Sequence, residues 1–255
     1  MRMDTSRLMV WGGFLLAVVM AVGQEATKEW TIRRTDDPDV VRFTVRRIRP
    51  GSIWSSTQDV PRSRFEGLSI EVLEHGGPAR FQYVQDAGTL ECQGRFSWMG
   101  GSGDYKFVPT AGFAAALRGM GHTSPSDDEQ FTMLLSGVTL DFARGVKDAG
   151  LQASTEELNQ LRTHGVTLEY IEDVRRAGYV DLQAHDVIDL RIHGVRGDFL
   201  RDLKDAGYNL AVREVIDLRI HGVDSDYLHE LRSYGLRPAA AELTQLRIHG
   251  VTPET

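Results

Sequence analysis

The chain has 255 residues, 29 basic and 36 acidic side chains, a formal net charge of −7 and one cysteine. With Cys92 alone no intramolecular disulfide can form, so packing must hold the fold. The acidic balance also excludes a surface built for nucleic-acid phosphates, which require clustered Lys and Arg.

Residues 1–23 read as a secretory signal. Arg2 and Arg7 form the basic start, Leu8 to Val22 the apolar stretch, and Ala21, Val22 and Gly23 a small-residue cleavage site. The apolar stretch is shorter than the roughly 20 residues of a transmembrane helix. The expectation is a secreted or periplasmic protein with no stable membrane span after cleavage; the alternative is an uncleaved signal acting as an anchor.

Residues 24–109 carry 12 basic and 12 acidic side chains and alternate with period two. Val41, Phe43 and Val45 face one way and Arg42, Thr44 and Arg46 the other, and Phe81 with Tyr83, Leu90 with Cys92, and Tyr105 with Phe107 repeat the pattern. This predicts an antiparallel β domain, either a small sandwich or a sheet covered by the first repeat helix. Gly100 to Gly103 reads as a turn between strands ending near Phe96 and starting near Asp104. Arg49 to Ser63, with Pro50, Gly51, Pro61 and four serines, reads as a long loop.

Residues 110–255 carry 15 basic and 23 acidic side chains and a repeat. Leu190-Arg-Ile-His-Gly-Val195 returns at Leu218 to Val223 and Leu246 to Val251, with a variant at Leu161 to Val166. Gly137, Gly165, Gly194, Gly222 and Gly250 close these runs at spacings of 28, 29, 28 and 28 residues. A second series, Gly150, Gly178, Gly207 and Gly235, follows the first by 13 residues each time, dividing each unit into two helix-length segments. Thr139, Thr167, Asp224 and Thr252 stand where helix N-caps belong, and each closing Gly suits a left-handed C′ position followed by the Val of a Schellman motif. Helices of about ten residues are marginal alone. Stacking hairpins buries their apolar faces, so the predicted fold is α+β: the N-terminal antiparallel β domain followed by an α-solenoid of five short helical hairpins.

Four features invite a functional reading. His164, His193, His221 and His249 suggest a metal, but equivalent residues in stacked units lie about 8 to 10 Å apart, whereas zinc ligands lie about 2 Å from the ion. A place in the last helical turn fits them better, with Asp189 and Asp217 four residues before His193 and His221. Arg162, Arg191, Arg219 and Arg247 form either a binding stripe or a solvated row serving nearby acids; the mixed charge around them favours the second. At the array's end, Leu246 and Ile248 are expected to leave an apolar patch that docks on a second copy or on a partner. Arg196-Gly-Asp198 spells an adhesion tripeptide at a helix start, where Asp has a capping role. No motif supplies catalytic residues, a metal site or a cofactor site.

The repeated Leu246-Arg-Ile-His-Gly-Val-Thr-Pro-Glu254, with Ala177-Gly-Tyr179 and Ala206-Gly-Tyr208, resembles a helical repeat of uncharacterised exported bacterial proteins. Similar repeats occur in extracytoplasmic regions attached to membrane metallopeptidases of the beta-lactam-sensor type, whose zinc motif and membrane spans are absent from this sequence. The resemblance implies a non-enzymatic interaction or sensing module with a protein partner. The alternatives are a β domain that binds a small molecule or glycan beside Trp54, with the repeats as a spacer, and an enzyme with dispersed catalytic groups in the β domain.

Overall fold

A computed structural model describes residues 27–251. The signal-like segment 1–23 and the helix start at Thr252 lie outside the described residues. The architecture is α+β. Seven antiparallel strands, β1 (Thr27–Arg34), β2 (Val40–Arg49), β3 (Ser52–Pro61), β4 (Phe65–Glu66), β5 (Gly77–Gln85), β6 (Gly88–Ser97) and β7 (Gly100–Pro109), form one sheet in the order β3-β2-β1-β7-β6-β5-β4. A short helix, α1 (Ile70–His75), lies between β4 and β5.

The alternation explains the sheet. Register pairs Trp30 with Val45 and Ile32 with Phe43 on one face, and Phe81 with Cys92 and Tyr83 with Leu90 on the same face. Their neighbours Arg42, Thr44, Gln82 and Glu91 face solvent. One apolar face must be covered, and here the sheet rolls over it. Phe43 of β2 meets Phe65 of β4 at 5.2 Å and Tyr83 of β5 at 5.4 Å, although these strands stand far apart in the order. The outcome is a single rolled sheet rather than a sandwich.

Two expected loops are parts of strands. Arg49 to Ser63 holds β3, which pairs with β2 from Arg49↔Ser52 to Val40↔Pro61 around the Pro50-Gly51 turn, Gly51 having φ 78°. Its serines and threonine face water at the sheet's edge, which removes the apolar alternation that marks a half-buried strand. Gly100 to Gly103 begins β7, and the turn is Trp98-Met99. These glycines make room for rings: a Cβ on Gly101 would lie 2.5 Å from the Phe96 ring, and one on Gly94, paired with Gly103, 2.7 Å from the buried Trp30 indole.

The helices that follow are α2 (Phe113–Gly119), α3 (Asp127–Ser136), α4 (Leu140–Asp148), α5 (Thr155–Thr163), α6 (Leu168–Arg176), α7 (Ala184–Ile192), α8 (Gly197–Asp205), α9 (Val212–Ile220), α10 (Ser225–Ser233) and α11 (Ala240–Ile248). Even-numbered helices pack on one another in sequence, as do odd-numbered ones, giving five hairpins in two layers. Among the described residues no helix is long and apolar enough to cross a membrane.

The caps explain the repeat length. Thr139, Thr167 and Asp224 accept hydrogen bonds from the backbone N–H groups of Phe142, Tyr170 and Tyr227. Every closing Gly of both series has φ between 66° and 90°. The N–H of Val166, Val195 and Val223 donates to the carbonyl of Leu161, Leu190 and Leu218 at 2.8–2.9 Å, the long bond of a Schellman motif.

The sheet meets the array at α3, the second helix of the first hairpin rather than the first. Phe131 stacks on Tyr105 at 5.9 Å and meets Phe107 edge-on at 5.4 Å, with the Arg47 guanidinium 3.4 Å from its ring centre. Beside it, buried Gln130 donates to the carbonyls of Ala87 and Thr110, at 2.6 and 3.3 Å. Asp86, in the same β5–β6 turn, accepts from the N–H of Leu140 at the start of α4. The array is thus fastened to the sheet by an apolar plug flanked by the Gln130 and Asp86 hydrogen bonds.

A Cβ at Gly194, with φ 68°, meets no atom within 4 Å. The cost of filling the site is therefore conformational alone. Gly194→Ala should destabilise by about 1 to 2 kcal/mol, Gly194→Val by more, and Gly194→Asn by less, as read by chemical denaturation.

Candidate functional site

The conserved spacing of the arginine row has an internal purpose. Arg162, Arg219 and Arg247 are half-buried, and in each hairpin the arginine lies over the aromatic ring of the preceding helix: Arg162 over Phe142 and Arg191 over Tyr170 at 5.1 Å, Arg219 over Phe199 at 5.4 Å, Arg247 over Tyr227 at 4.6 Å. The Nε of Arg162 and Arg247 donates to the carbonyls of Gly137 and Gly222, which close the hairpin before. In the units of Arg162 and Arg247, cation, ring and cap carbonyl therefore tie the hairpin to its predecessor. This corrects the expectation of a solvated row serving acids.

A second regularity concerns the carbonyl of the Val after each cap. Where the ring is a tyrosine, its hydroxyl donates to that carbonyl: Tyr170 to Val195 at 2.8 Å and Tyr227 to Val251 at 3.2 Å. Where the ring is phenylalanine, the arginine takes over: Arg162 donates to Val166 at 3.3 Å and Arg219 to Val223 at 3.0 Å. A buried carbonyl without a donor costs about 1 to 3 kcal/mol, so the unit supplies one by either route.

His164, His193, His221 and His249 are the C-cap residues of α5, α7, α9 and α11. The Nδ1 atoms of His193 and His221 lie 2.8 Å from the backbone carbonyls of Asp189 and Asp217. The expected carboxylate contact occurs only at His221, 3.5 Å from Asp217. These histidines thus serve helix ends one unit apart, and no group of three or more possible metal ligands occurs among the described residues.

A further acidic row escaped the sequence reading. Glu129, Glu157, Asp186, Glu214 and Glu242 accept from the backbone N–H of Ser126, Ser154, Gln183, Ala211 and Ala239 at 2.7–2.9 Å, half or all of a capping box. Each stands eight residues before its closing Gly, a spacing that was available to find them. The adhesion tripeptide is folded into a helix start. Gly197 is buried, and Arg196 pairs with Asp198 at 2.9 Å.

The rows that remain on the surface are different ones. Ile192, Ile220 and Ile248 are 52%, 61% and 52% exposed on α7, α9 and α11, which pack in sequence. Ile248 is therefore no more exposed than its counterparts inside the array, and Leu246 is half-buried. The apolar feature expected at the array's end is instead a row along it. In α3 the equivalent Leu135 is buried, and α5 carries Thr163. Between α9 and α11 a shallow groove of about 520 Å³ runs beside Ile220, lined also by Ile216, Ala240 and Ala241 and edged by Arg213, Glu214 and Asp217. Trp54, the expected centre of a ligand site, packs against Phe131 at 5.7 Å. No protein-family model matches the chain, and no curated protein matches it significantly.

Replacing Tyr170 by Phe reproduces the ring of the Phe142 and Phe199 hairpins, where arginine supplies the donor. Tyr170→Phe alone should therefore cost under about 1 kcal/mol, whereas combining it with Arg191→Met should cost more than the two single changes added. Denaturation of the four proteins in this cycle measures the coupling.

Burial raises the Tyr170 hydroxyl above the ordinary phenol range, with Arg191 acting weakly the other way. An acid whose folded pKa is raised contributes stability in full below the unfolded value, about 10 for tyrosine, and loses it as pH rises towards the folded value. Stability should fall above about pH 10, and more shallowly for Tyr170→Phe, as followed by thermal melts across pH 8 to 11.

Proposed function

We propose that the protein is an exported, non-enzymatic interaction module, acting in sensing or regulation, whose helical array docks a protein partner. The observation that carries this is the Ile192, Ile220 and Ile248 row. The aromatics of the same units are buried and the arginines lie over them, whereas these isoleucines face solvent at one position of three successive units. Exposed apolar residues in a continuous row mark interaction surfaces. The secretory reading of residues 1–23 and the resemblance of the repeat to extracytoplasmic regions support the same conclusion. They favour a secreted or periplasmic setting for the module.

A photo-crosslinking residue at position 220 tests this in cells producing the full chain. Adducts with a defined partner are expected at 220 and their loss on Ile192→Glu with Ile248→Glu, the melting temperature staying within about 3 °C because these side chains face water. Undiminished adducts, or adducts only at a control position such as Glu230, would overturn the assignment of the row. Adducts of the chain with itself alone would replace the partner by a second copy.

A further inference from the structure

The sheet has two edges, and they differ. β4 ends one side with two residues, Phe65 and Glu66, too short to template another strand. β3 ends the other with ten residues in unbroken register with β2, and between Ser52 and Val60 it carries no lysine, proline or bulge. Those are the usual devices that blunt an edge. The parity of its hydrogen bonds follows from the hairpin. In a two-residue turn the closing pair, Arg49 and Ser52, exchanges both backbone bonds, so Trp54, Ser56, Gln58 and Val60 also bond to β2. The 2.7 Å bond from the Arg62 N–H to the Asp39 carbonyl continues this parity. The N–H and C=O groups of Ile53, Ser55, Thr57 and Asp59 consequently point away from the sheet. None of them has a backbone partner among the described residues, and all four residues are exposed.

One half of this edge opens on a cleft of about 480 Å³ between the rolled sheet and the array, lined by Gln58, Arg64, Tyr83 and Gln85 on one side and by Thr139 and Arg162 on the other. In this cleft Asp59 is paired with Arg42, and Asp141 with Arg144. Among the described residues Arg64 has no carboxylate partner, and the buried Gln58 amide nitrogen has no hydrogen-bond acceptor. An added strand lies about 4.8 Å from its neighbour, which on the Gln58 to Pro61 half of the edge brings it beside the cleft that Thr139 and Arg162 also line.

We propose that β3 receives an extended peptide segment as an eighth strand, with an acidic side chain of that segment placed at Arg64 and Gln58. Backbone bonds to Ile53, Ser55, Thr57 and Asp59 would supply affinity and the cleft would supply selectivity, the mode of recognition by β-strand addition. This surface is separate from the isoleucine row, so either can fail without the other.

A phage-displayed decapeptide library selected on the full-length protein tests it. Selected peptides should be acidic and should protect the amides of Ser55, Thr57 and Asp59 from hydrogen exchange. Binding should weaken at least tenfold on Thr57→Pro, which removes an outward N–H but no bond to β2, and at least fivefold on Arg64→Glu. Should Thr57→Pro unfold the protein, N-methylation of the peptide decides: alternate positions should abolish binding and the intervening ones should leave it intact. Binding should be unaffected by Ile220→Glu. Recovery of no peptide, tolerance of N-methylation at every position, or protection of the β3 amides by dimerisation without peptide would each overturn the proposal.

Discussion

A glycine in the left-handed conformation ends each helix of the array after α3, and most of the packing depends on what that does to carbonyl groups. The turn reverses the chain within two residues and leaves the carbonyls of the closing Gly and of the following Val pointing out of the helix ladder. Both must find donors. Arg162 and Arg247 reach back to Gly137 and Gly222, while Tyr170, Tyr227, Arg162 and Arg219 satisfy the Val carbonyls. Arg162, over the Phe142 ring, is held by both carbonyls. A repeat of 28 residues therefore stacks with a set register, because a shifted unit would strand its carbonyls.

The same accounting governs the junction with the sheet. Phe131 supplies the apolar area, but area alone permits sliding. Gln130 and Asp86 set the position, since each adds a directional bond to a backbone group at the end of a strand or the start of a helix. Arg47 joins the two kinds of contact, with its guanidinium on the Phe131 ring and a 2.6 Å ion pair to Asp128 at the start of α3. Sheet and array are consequently coupled chiefly through α3, the second helix of the first hairpin, with Asp86 adding a bond to the start of α4.

Within a unit, the chemically conspicuous side chains are the ones with local partners. Arginine, tyrosine and histidine carry donors, and helix ends present acceptors, so these residues are used locally. What remains for a partner is less conspicuous: three exposed isoleucines, and a strand edge whose recognition groups are backbone amides. A search for catalytic or ligating side chains passes over both.

The glycine spacing, the cap residues and the aliphatic ladders were legible because they are local: φ preference, N-capping and helical periodicity act over a few residues and repeat five times. The α+β division and the inward face of Val41, Phe43 and Val45 were legible for the same reason. β3 was not, since an edge strand with serines facing water loses the alternation that announces a strand, and only its pairing with β2 defines it. Gly101 and Gly103 looked like a turn because sequence does not show the Phe96 ring against Gly101 or the Gln93 and Gly94 backbone against Gly103 that leave no room for a Cβ. The arginine row could be seen but not interpreted: whether a guanidinium meets solvent, an acid or the carbonyl of a neighbouring unit depends on which groups stacking brings together. Sequence alone determined the repeat, its caps and its helices. The rolling of the sheet, the partners of the arginines and the exposure of Ile192, Ile220 and Ile248 were decided by tertiary packing, because burial belongs to neighbours distant in the chain.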